Sequence, residues 1–408
     1  MRVCFVSHSA GRYGAERALL ELLRGLLESD VAILVLVPQR GPLLDELDQL
    51  GIAWRIIDYP PWVSRPKWFL HRWLRLLKMA FSSIQVARVI RCWDADIVYT
   101  NTVVTGTGAF GAWLARRPHV WHSHESLRHN PSQIFYLGEH AVIRLMDRLS
   151  VAIVVTSRSV ADDYEGGFHP AKMHVVYQSV TLAPPQVQLA GASVEETPSF
   201  RCLVVGSLHP WKCQDQAISA VARLAGAGID TRLLLVGGDG RRYRAQLQRQ
   251  AWELGVAQRV EFRDYMANPM PLLSSADVVL VCSRWEAFGR VAVEAMLAGK
   301  AVIGSNRGAT PEIIRHGETG LIYEWGDVGD LAAKIRFLYD YPEERGRIGQ
   351  AGRRWAESRF TQARYAQEIF AILSAAASIR PRGEAGGMAP LPAEPGLTDT
   401  DARPQAPN

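Results

Sequence analysis

The stretch CSRWEAFGRVAVEAMLAGKAVIGSNRGATPEI, residues 282–313, decides the fold. It opens at the end of one apolar run, VVLVCS (278–283), and contains another, AVIGS (301–305). Short continuous apolar runs read as strands buried on both faces, and the helical pattern over Val291–Ala298 makes the crossover of a parallel sheet. Along that helix Glu294 is the single charged side chain. A carboxylate among apolar neighbours is expensive unless it is paired. One partner is Arg290, four residues earlier, in the weaker Arg-before-Glu orientation. The other is a pair of ligand hydroxyls, such as those of a ribose. Glu286 lies eight residues before Glu294 and shares roughly the same side at 3.6 residues per turn.

The same alternation extends outward in both directions. Ahead of it, CLVVGS (202–207), RLLLVGG (232–238) and VEF (260–262) read as strands. Helical patterns over Asp215–Ala225, Tyr243–Leu254 and Leu331–Tyr339 separate or follow them. A similar series fills the first 180 residues, with strands at Val3–Val6, Val31–Val37, Trp54–Ile57, Ile97–Thr100, His119–Trp121, Ala152–Thr156 and Met173–Tyr177. A helix is expected over Ala15–Glu28. Two doubly wound α/β domains follow from this pattern. Residues 1–181 are assigned to the first, 182–199 to a linker, and 200–360 to the second. A helix over 361–379 and a disordered tail over 380–408, rich in Pro, Gly and Ala, complete the division.

Composition agrees with a folded two-domain chain. The 408 residues are 48% hydrophobic and 21% charged. The five cysteines form no C-x-x-C pair, which argues against a disulfide scaffold or structural zinc and for a reducing compartment. MRVCFVSHSAGRYG lacks the layout of a signal peptide, so a cytoplasmic location is expected. The net charge of +5 is uneven. Between Asp58 and Asp94 there is no acidic residue, while Arg65, Lys67, Arg72, Arg75, Lys78, Arg88 and Arg91 contribute +7, leaving −2 elsewhere. Trp62, Trp68, Trp73 and Trp93 punctuate this segment, and KWFLHRWLRLLKMAF (67–81) has helical apolar spacing. Tryptophan with cations on one helix suits an anionic membrane interface. A helix packed on its own sheet with a solvated basic edge fits equally well. No recognition motif accompanies the charge, so nucleic acid is not an expected partner.

Three glycine turns follow strands: SHSAGRYGAER (7–17), VVGSLHPWKCQDQ (204–216) and VGGDGR (236–241). Glycine lets the backbone turn tightly beside a ligand, and helix N-termini accept phosphate. The first turn is not G-x-G-x-x-G, and no acid ends the second strand, so a dinucleotide is disfavoured. Lys212 lies near the start of a helix and can neutralise a diphosphate, although a solvated surface lysine is the commoner outcome. DAD at 94–96 reads as a turn before a strand, so no metal and no cofactor are expected.

Glu286 and Glu294 with the seven residues between them resemble the E-x7-E signature of retaining glycosyltransferases of family 4, the group 1 glycosyl transferases. The likeness covers about residues 1–375, because WDADIVYTN, KMHVVYQSV, GSLHPWK, LLLVGGDG, EAMLAGKAVIG, GATPEII and GETGLIY follow in the family's order. It implies the GT-B fold: two Rossmann-like domains facing a cleft, with the C-terminal helix crossing back to the N-terminal domain. It implies a metal-independent transfer of sugar from a nucleotide sugar to a glycan or lipid-linked acceptor. Glu294 would hold the ribose, Glu286 the donor sugar beside Phe288 and Gly289, and Lys212 the diphosphate. Gly14 would lie near the distal phosphate and His124 near the reacting centre; His122 is assigned to the opposite strand face.

The chain departs from the family pattern at Ser207, where an arginine is usual, and at Arg290, where an aliphatic residue is usual. Arg290 is the candidate to replace the missing charge. A catalytically silent nucleotide-sugar sensor and a sugar-nucleotide epimerase of the same fold remain the alternatives.

Overall fold

The computed structural model describes residues 1–64, 72–126, 134–182, 199–238, 240–266 and 268–379. The expected linker lies mostly, and the expected tail wholly, outside these residues. The first half runs β1 (Arg2–Val6), α1 (Gly14–Leu26), β2 (Ala32–Val37), α2 (Leu43–Gln49), β3 (Ala53–Ile56), β4 (Val63–Ser64) and α3 (Arg72–Cys92). It continues through β5 (Ile97–Thr100), α4 (Thr107–Ala115), β6 (His119–Ser123), β7 (Ile134–Phe135), α5 (Glu139–Leu149), β8 (Ala152–Val155), α6 (Arg158–Asp163) and β9 (Met173–Val175). Seven of these strands form one parallel sheet in the order β3-β2-β1-β5-β6-β8-β9. The short strands β4 and β7 pair antiparallel outside it.

The second half runs β10 (Phe200–Val205), α7 (Gln214–Gly226), β11 (Thr231–Val236), α8 (Arg241–Glu253), β12 (Val260–Arg263), α9 (Met270–Ser275) and β13 (Val278–Val281). It ends with α10 (Arg290–Leu297), β14 (Ala301–Ser305), α11 (Thr310–Ile313), β15 (Leu321–Tyr323), α12 (Val328–Asp340), α13 (Pro342–Arg359) and α14 (Gln362–Ala377). Its sheet is parallel with the order β12-β11-β10-β13-β14-β15. The strand order reverses between β1 and β5 in one sheet and between β10 and β13 in the other. In doubly wound sheets ligands bind outside the strand C-termini at such switch points.

The apolar runs explain the sheets. Cys4, Val35, Val98, Val120 and Val154, one from each of five neighbouring strands, are essentially inaccessible, as strands covered by helices on both faces must be. Helix α14 carries the chain back to the first domain. Its Tyr365, Ile369 and Leu373 are fully buried in one cluster with Leu19, Leu22, Leu23 and Leu26 of α1.

Trp62 is one of the four tryptophans read as suiting either a membrane interface or a packed helix with a basic edge, and it is fully buried. It stacks on Trp121, with ring centroids 5.6 Å apart, and donates to the Val103 carbonyl at 2.6 Å. The loop entering β4 has no other way to satisfy its indole N–H inside the core. Trp93 lies under Arg2, 4.8 Å away. Residues 65–71 lie outside the described residues.

Helix α14 is thus a structural part of the first domain. Leu373→Ala should cost about 2–5 kcal/mol in a denaturant titration. A loss below about 1 kcal/mol would show that the helix packs only loosely.

Candidate active site

The glycine turns converge at the switch points because backbone must pack on backbone there. A Cβ at Gly237, after β11, would sit 1.8 Å from the Gly206 carbonyl oxygen after β10. The adjoining loop turns through His209–Lys212, and Gln214 donates from Nε2 to the Ser207 carbonyl at 2.9 Å. Lys212 reaches across to the loop after β13, where its Nζ lies 2.5 Å from Glu286 Oε1. Ser283 donates to the same oxygen at 2.5 Å. The Glu286 backbone is held in turn by Ala309, whose N–H donates to the Glu286 carbonyl at 2.8 Å. Gly308, at φ +60°, leaves room for that approach, since a Cβ would fall 2.4 Å from the same carbonyl oxygen. Phe288 is buried against Phe360, with centroids 5.6 Å apart. Gly289, at φ +95°, turns the chain into α10.

Helices α1 and α10 both begin at this cleft, and neither has a side-chain N-cap. Both carry the same spacing: Arg17 and Glu21 on α1, Arg290 and Glu294 on α10, each an arginine four residues before a glutamate. The structure pairs them between helices. Arg17 Nη2 lies 2.8 Å from Glu294 Oε1, and Arg290 Nη2 lies 2.8 Å from Glu21 Oε1. The ion pair expected between Arg290 and Glu294 within α10 is therefore not the one formed.

The two pairs differ in environment. Arg290 and Glu21 are buried, with 11% and 6% of their side chains exposed. Arg290 also donates to Gln178 Oε1 and to the Ser179 carbonyl, at 3.3 and 3.0 Å. Burial opposes its charge, but Glu21 and Glu294 more than offset that, and the guanidinium pKa is raised. Glu21 accepts further bonds from Ser179 Oγ and the Thr181 N–H. Arg17 remains 34% exposed, while Glu294 is 3% exposed. Although the charges touch, no donor is aligned for a hydrogen bond on Glu294 Oε1 among the described residues. Gly14 lies close by, its Cβ direction 3.8 Å from Arg290 Cδ.

His124 follows β6 and is 9% exposed. Its Nε2 is 2.8 Å from Asn101 Oδ1 and its Nδ1 2.8 Å from Gln178 Nε2. An amide oxygen on one side and an amide N–H on the other fit a neutral ring protonated on Nε2. Burial first, then His122, His8 and Arg290, hold its pKa well below the usual histidine value. His122 is not on an opposite face. Residues two apart share a strand face, and the two rings lie 3.9 Å apart between centroids. Burial pushes His122 down to about 3, and its Nδ1 meets the Tyr99 hydroxyl at 2.5 Å.

Other contacts join the domains. Glu312 of α11 accepts from the N–H groups of Arg158 and Ser159 and from the Tyr177 hydroxyl, at 2.9, 2.7 and 2.7 Å. Thr156 donates to the Ala287 carbonyl at 3.2 Å. The two carboxylates of DAD serve the first domain: Asp96 accepts from the Arg2 N–H and Asp94 pairs with Arg117. Among the described residues no group of three or more His, Cys, Asp or Glu side chains could hold a metal ion.

Two parallel sheets whose switch-point loops face one another, with the last helix returning to the first domain, define a GT-B protein. The comparisons agree. Residues 13–183 match the family described as Glycosyltransferase Family 4, and residues 191–355 match Glycosyl transferases group 1. The chain belongs to this glycosyltransferase family. It is 31% identical over 243 residues to the D-inositol 3-phosphate glycosyltransferase of Thermomonospora curvata, covering 54% of this chain and 56% of that one. Its likeness to the enzyme of the same description from Mycobacterium bovis is 33% over 211 residues, covering 50% and 43%. The chain thus spans about half the length of the curated relatives it matches. Among solved structures, Anabaena HepE in complex with UDP and glucose has a TM-score of 0.75 and 25% identity, covering 92% of this chain and 100% of that chain. Sucrose-phosphate synthase from Thermosynechococcus elongatus has a TM-score of 0.73 at 17% identity, covering 92% and 99%.

Sequence reasoning missed Arg17, Glu21, Asn101 and the bonding of Gln178. Two predictions follow from their placement. Glu21→Ala strands the buried Arg290 and should cost about 3–5 kcal/mol in denaturant, whereas Glu21→Leu combined with Arg290→Met should lose much less. A double variant no better than the single one would contradict a dominant charge effect. The second concerns pH. Burial also pushes His119 down to about 3. Below the ordinary value of about 6.5 the unfolded chain takes up protons that the folded chain refuses, so stability falls as pH drops from there towards 3. Each such histidine adds up to about 1.4 kcal/mol per pH unit. Denaturation midpoints from pH 7 to 4.5 should show a shallower slope in His119→Asn, and an unchanged slope would contradict this assignment.

Proposed function

We propose that this protein transfers a sugar from a nucleotide-sugar donor to an acceptor hydroxyl with retention at the anomeric carbon. The donor is assigned to the domain of residues 200–360 and the acceptor to that of residues 1–181. The observation that carries the reading is Glu294: a carboxylate buried on an apolar helix, facing a cleft at a switch point, with an oxygen that lacks an aligned donor. Ribose hydroxyls are donors of the required kind. Lys212 supports the diphosphate beside the uncapped start of α10, and Glu286, with Phe288 and Gly289, borders the sugar. Ser207 offers backbone at the same loop. Tyr265, 59% exposed beside Gly238, borders the space for a base. His124, neutral and bonded on both nitrogens, supports a positioning role near the acceptor rather than proton removal. The route proposed is front-face, with the departing diphosphate taking the acceptor proton. Domain closure over the cleft excludes water and favours transfer over hydrolysis.

The reading extends to a lipid-linked or surface-glycan acceptor worked on at an anionic membrane. Its support is α3, where Trp73, Leu74, Leu77 and Phe81 are 61–68% exposed on successive turns among Arg72, Arg75 and Lys78. The opposite face of that helix packs through Met79, Val86 and Ile90. Among the described residues no helix is long and apolar enough to cross a membrane.

The test is a panel of UDP-, GDP- and ADP-sugars assayed for nucleotide release, with the anomeric proton of the product read by NMR. Release with a retained α or β configuration supports the proposal; inversion overturns the mechanism. Binding without release by any donor identifies a sensor, and an isomerised sugar nucleotide identifies an epimerase. Glu286→Gln should lower kcat by roughly a hundredfold. Flotation with anionic liposomes should fall when Arg72, Arg75 and Lys78 are neutralised, and equal flotation defeats the membrane reading.

A further inference from the structure

We propose that Arg17 is the arginine that binds the donor's diphosphate, and that it stands on Glu294 until a nucleotide displaces it. The inference rests on the reading of the cleft as a nucleotide-sugar site and names a residue for it.

Three cations meet at the switch points described above. Lys212 is held by Glu286 at 2.5 Å. Arg290 is buried, and its two terminal nitrogens contact both oxygens of Glu21, the Gln178 side chain and the Ser179 carbonyl. Releasing it would strand a carboxylate inside the junction between the domains, a costly event. Arg17 is different. A third of its side chain is exposed, and among the described residues its side chain makes the single approach of Nη2 to Glu294 Oε1. That approach compensates the charge of a buried carboxylate without giving the oxygen an aligned hydrogen bond. The contact is therefore exchangeable: a ligand hydroxyl that donates squarely to Glu294 improves on it.

Charge decides which ligand completes the exchange. A ribose diol is neutral. When it takes Glu294, Arg17 loses its counter-ion within a partly buried cleft. A nucleoside alone leaves that cation uncompensated. A nucleoside diphosphate brings an anion attached to the same ribose, and a guanidinium can bind phosphate oxygens through two parallel N–H groups. The swap is then balanced: Glu294 goes from cation to hydroxyls, and Arg17 from carboxylate to phosphate. Ser207, which carries no charge after the glycine of β10's loop, leaves room for this role. Arg17 comes from the opposite domain, so the same contact draws α1 towards the donor when the nucleotide is bound.

Titration calorimetry with uridine, UDP, guanosine, GDP, adenosine and ADP tests this on the full chain. In the unaltered protein one diphosphate should bind more tightly than its nucleoside. Arg17→Ala should weaken that diphosphate by roughly tenfold to a hundredfold and leave its nucleoside unchanged or tighter. Arg17→Lys should restore part of the loss. Nucleoside binding reports that the variant is folded. A diphosphate bound equally well by Arg17→Ala overturns the proposal and makes Arg17 a plug on Glu294. Equal weakening of nucleoside and diphosphate also overturns it, because Arg17 then acts by positioning Glu294. If the unaltered protein binds none of the six compounds, the nucleotide-sugar reading itself fails.

Discussion

The buried pair of Arg290 and Glu21 is the constraint on which the arrangement depends. Two charges removed from water gain little unless their remaining hydrogen-bonding capacity is met. Here most of it is met by the chain passing between the domains, although Arg290 Nε has no hydrogen-bond partner among the described residues. Ser179 offers its hydroxyl to Glu21 and its carbonyl to Arg290, and the Thr181 N–H completes the set. Helix α1, helix α10 and the segment 178–181 are thereby tied at one point. Helix α14 adds to it: Arg364 donates to the Tyr177 carbonyl, and Tyr365 is buried in the same core as α1. A junction bonded at so many points is suited to act as a pivot. Motion of one domain against the other then falls on the weaker contacts further out, the Arg17–Glu294 pair and the grip of Glu312 on the start of α6.

This pivot gives the cleft its asymmetry. Near it, side chains are buried and make several hydrogen bonds each. Farther from it, Glu294, Arg17 and the Lys212–Glu286 pair hold charges that a ligand could rearrange. His124 bridges the two regions, since one nitrogen meets Gln178, which is bonded to Arg290, and the other meets Asn101, whose amide reaches the Ala15 carbonyl at the start of α1. A ring fixed from both sides cannot swing towards a proton. It can hold the first domain's loop against the pivot, and this suits a cleft in which geometry and fixed dipoles do more than proton transfer.

The strands were legible because parallel sheets demand unbroken apolar runs, and such runs stand out in VVLV or AILVLV. Strand β15 was missed because LIY is too short to show a pattern. Glu294 was legible because a lone carboxylate in an apolar helix breaks a rule. Glu21 breaks the same rule in RALLELLRGL, and applying the argument there would have found it. Its partner was beyond reach, because i,i+4 spacing offers Arg17 and Arg290 to their own helices. Only the meeting of α1 and α10 shows that each arginine does better across the gap. Asn101 and Gln178 stood inside family motifs, but their bonding was hidden, since a polar residue after a strand is ordinary until its neighbours are known.

The excess of basic residues changes character once side chains are placed. Trp62 serves the core and Trp93 packs under Arg2, so neither joins Trp73 on the outer face of α3. What remains is the outer face of α3, apolar over its first three turns and then cationic at Arg88 and Arg91. A helix packed on a sheet normally turns charge outward. This one keeps Met79, Val86 and Ile90 inside as expected but also exposes Trp73, Leu77 and Phe81, which that pattern does not explain. Helices in a parallel sheet run back from the strand C-termini, so the exposed apolar turns begin at the cleft end of the domain. On the proposed reading, the donor side needs a few charges in fixed places, whereas the acceptor side needs a surface that favours an amphipathic neighbour. The two demands do not compete, because they fall on different domains.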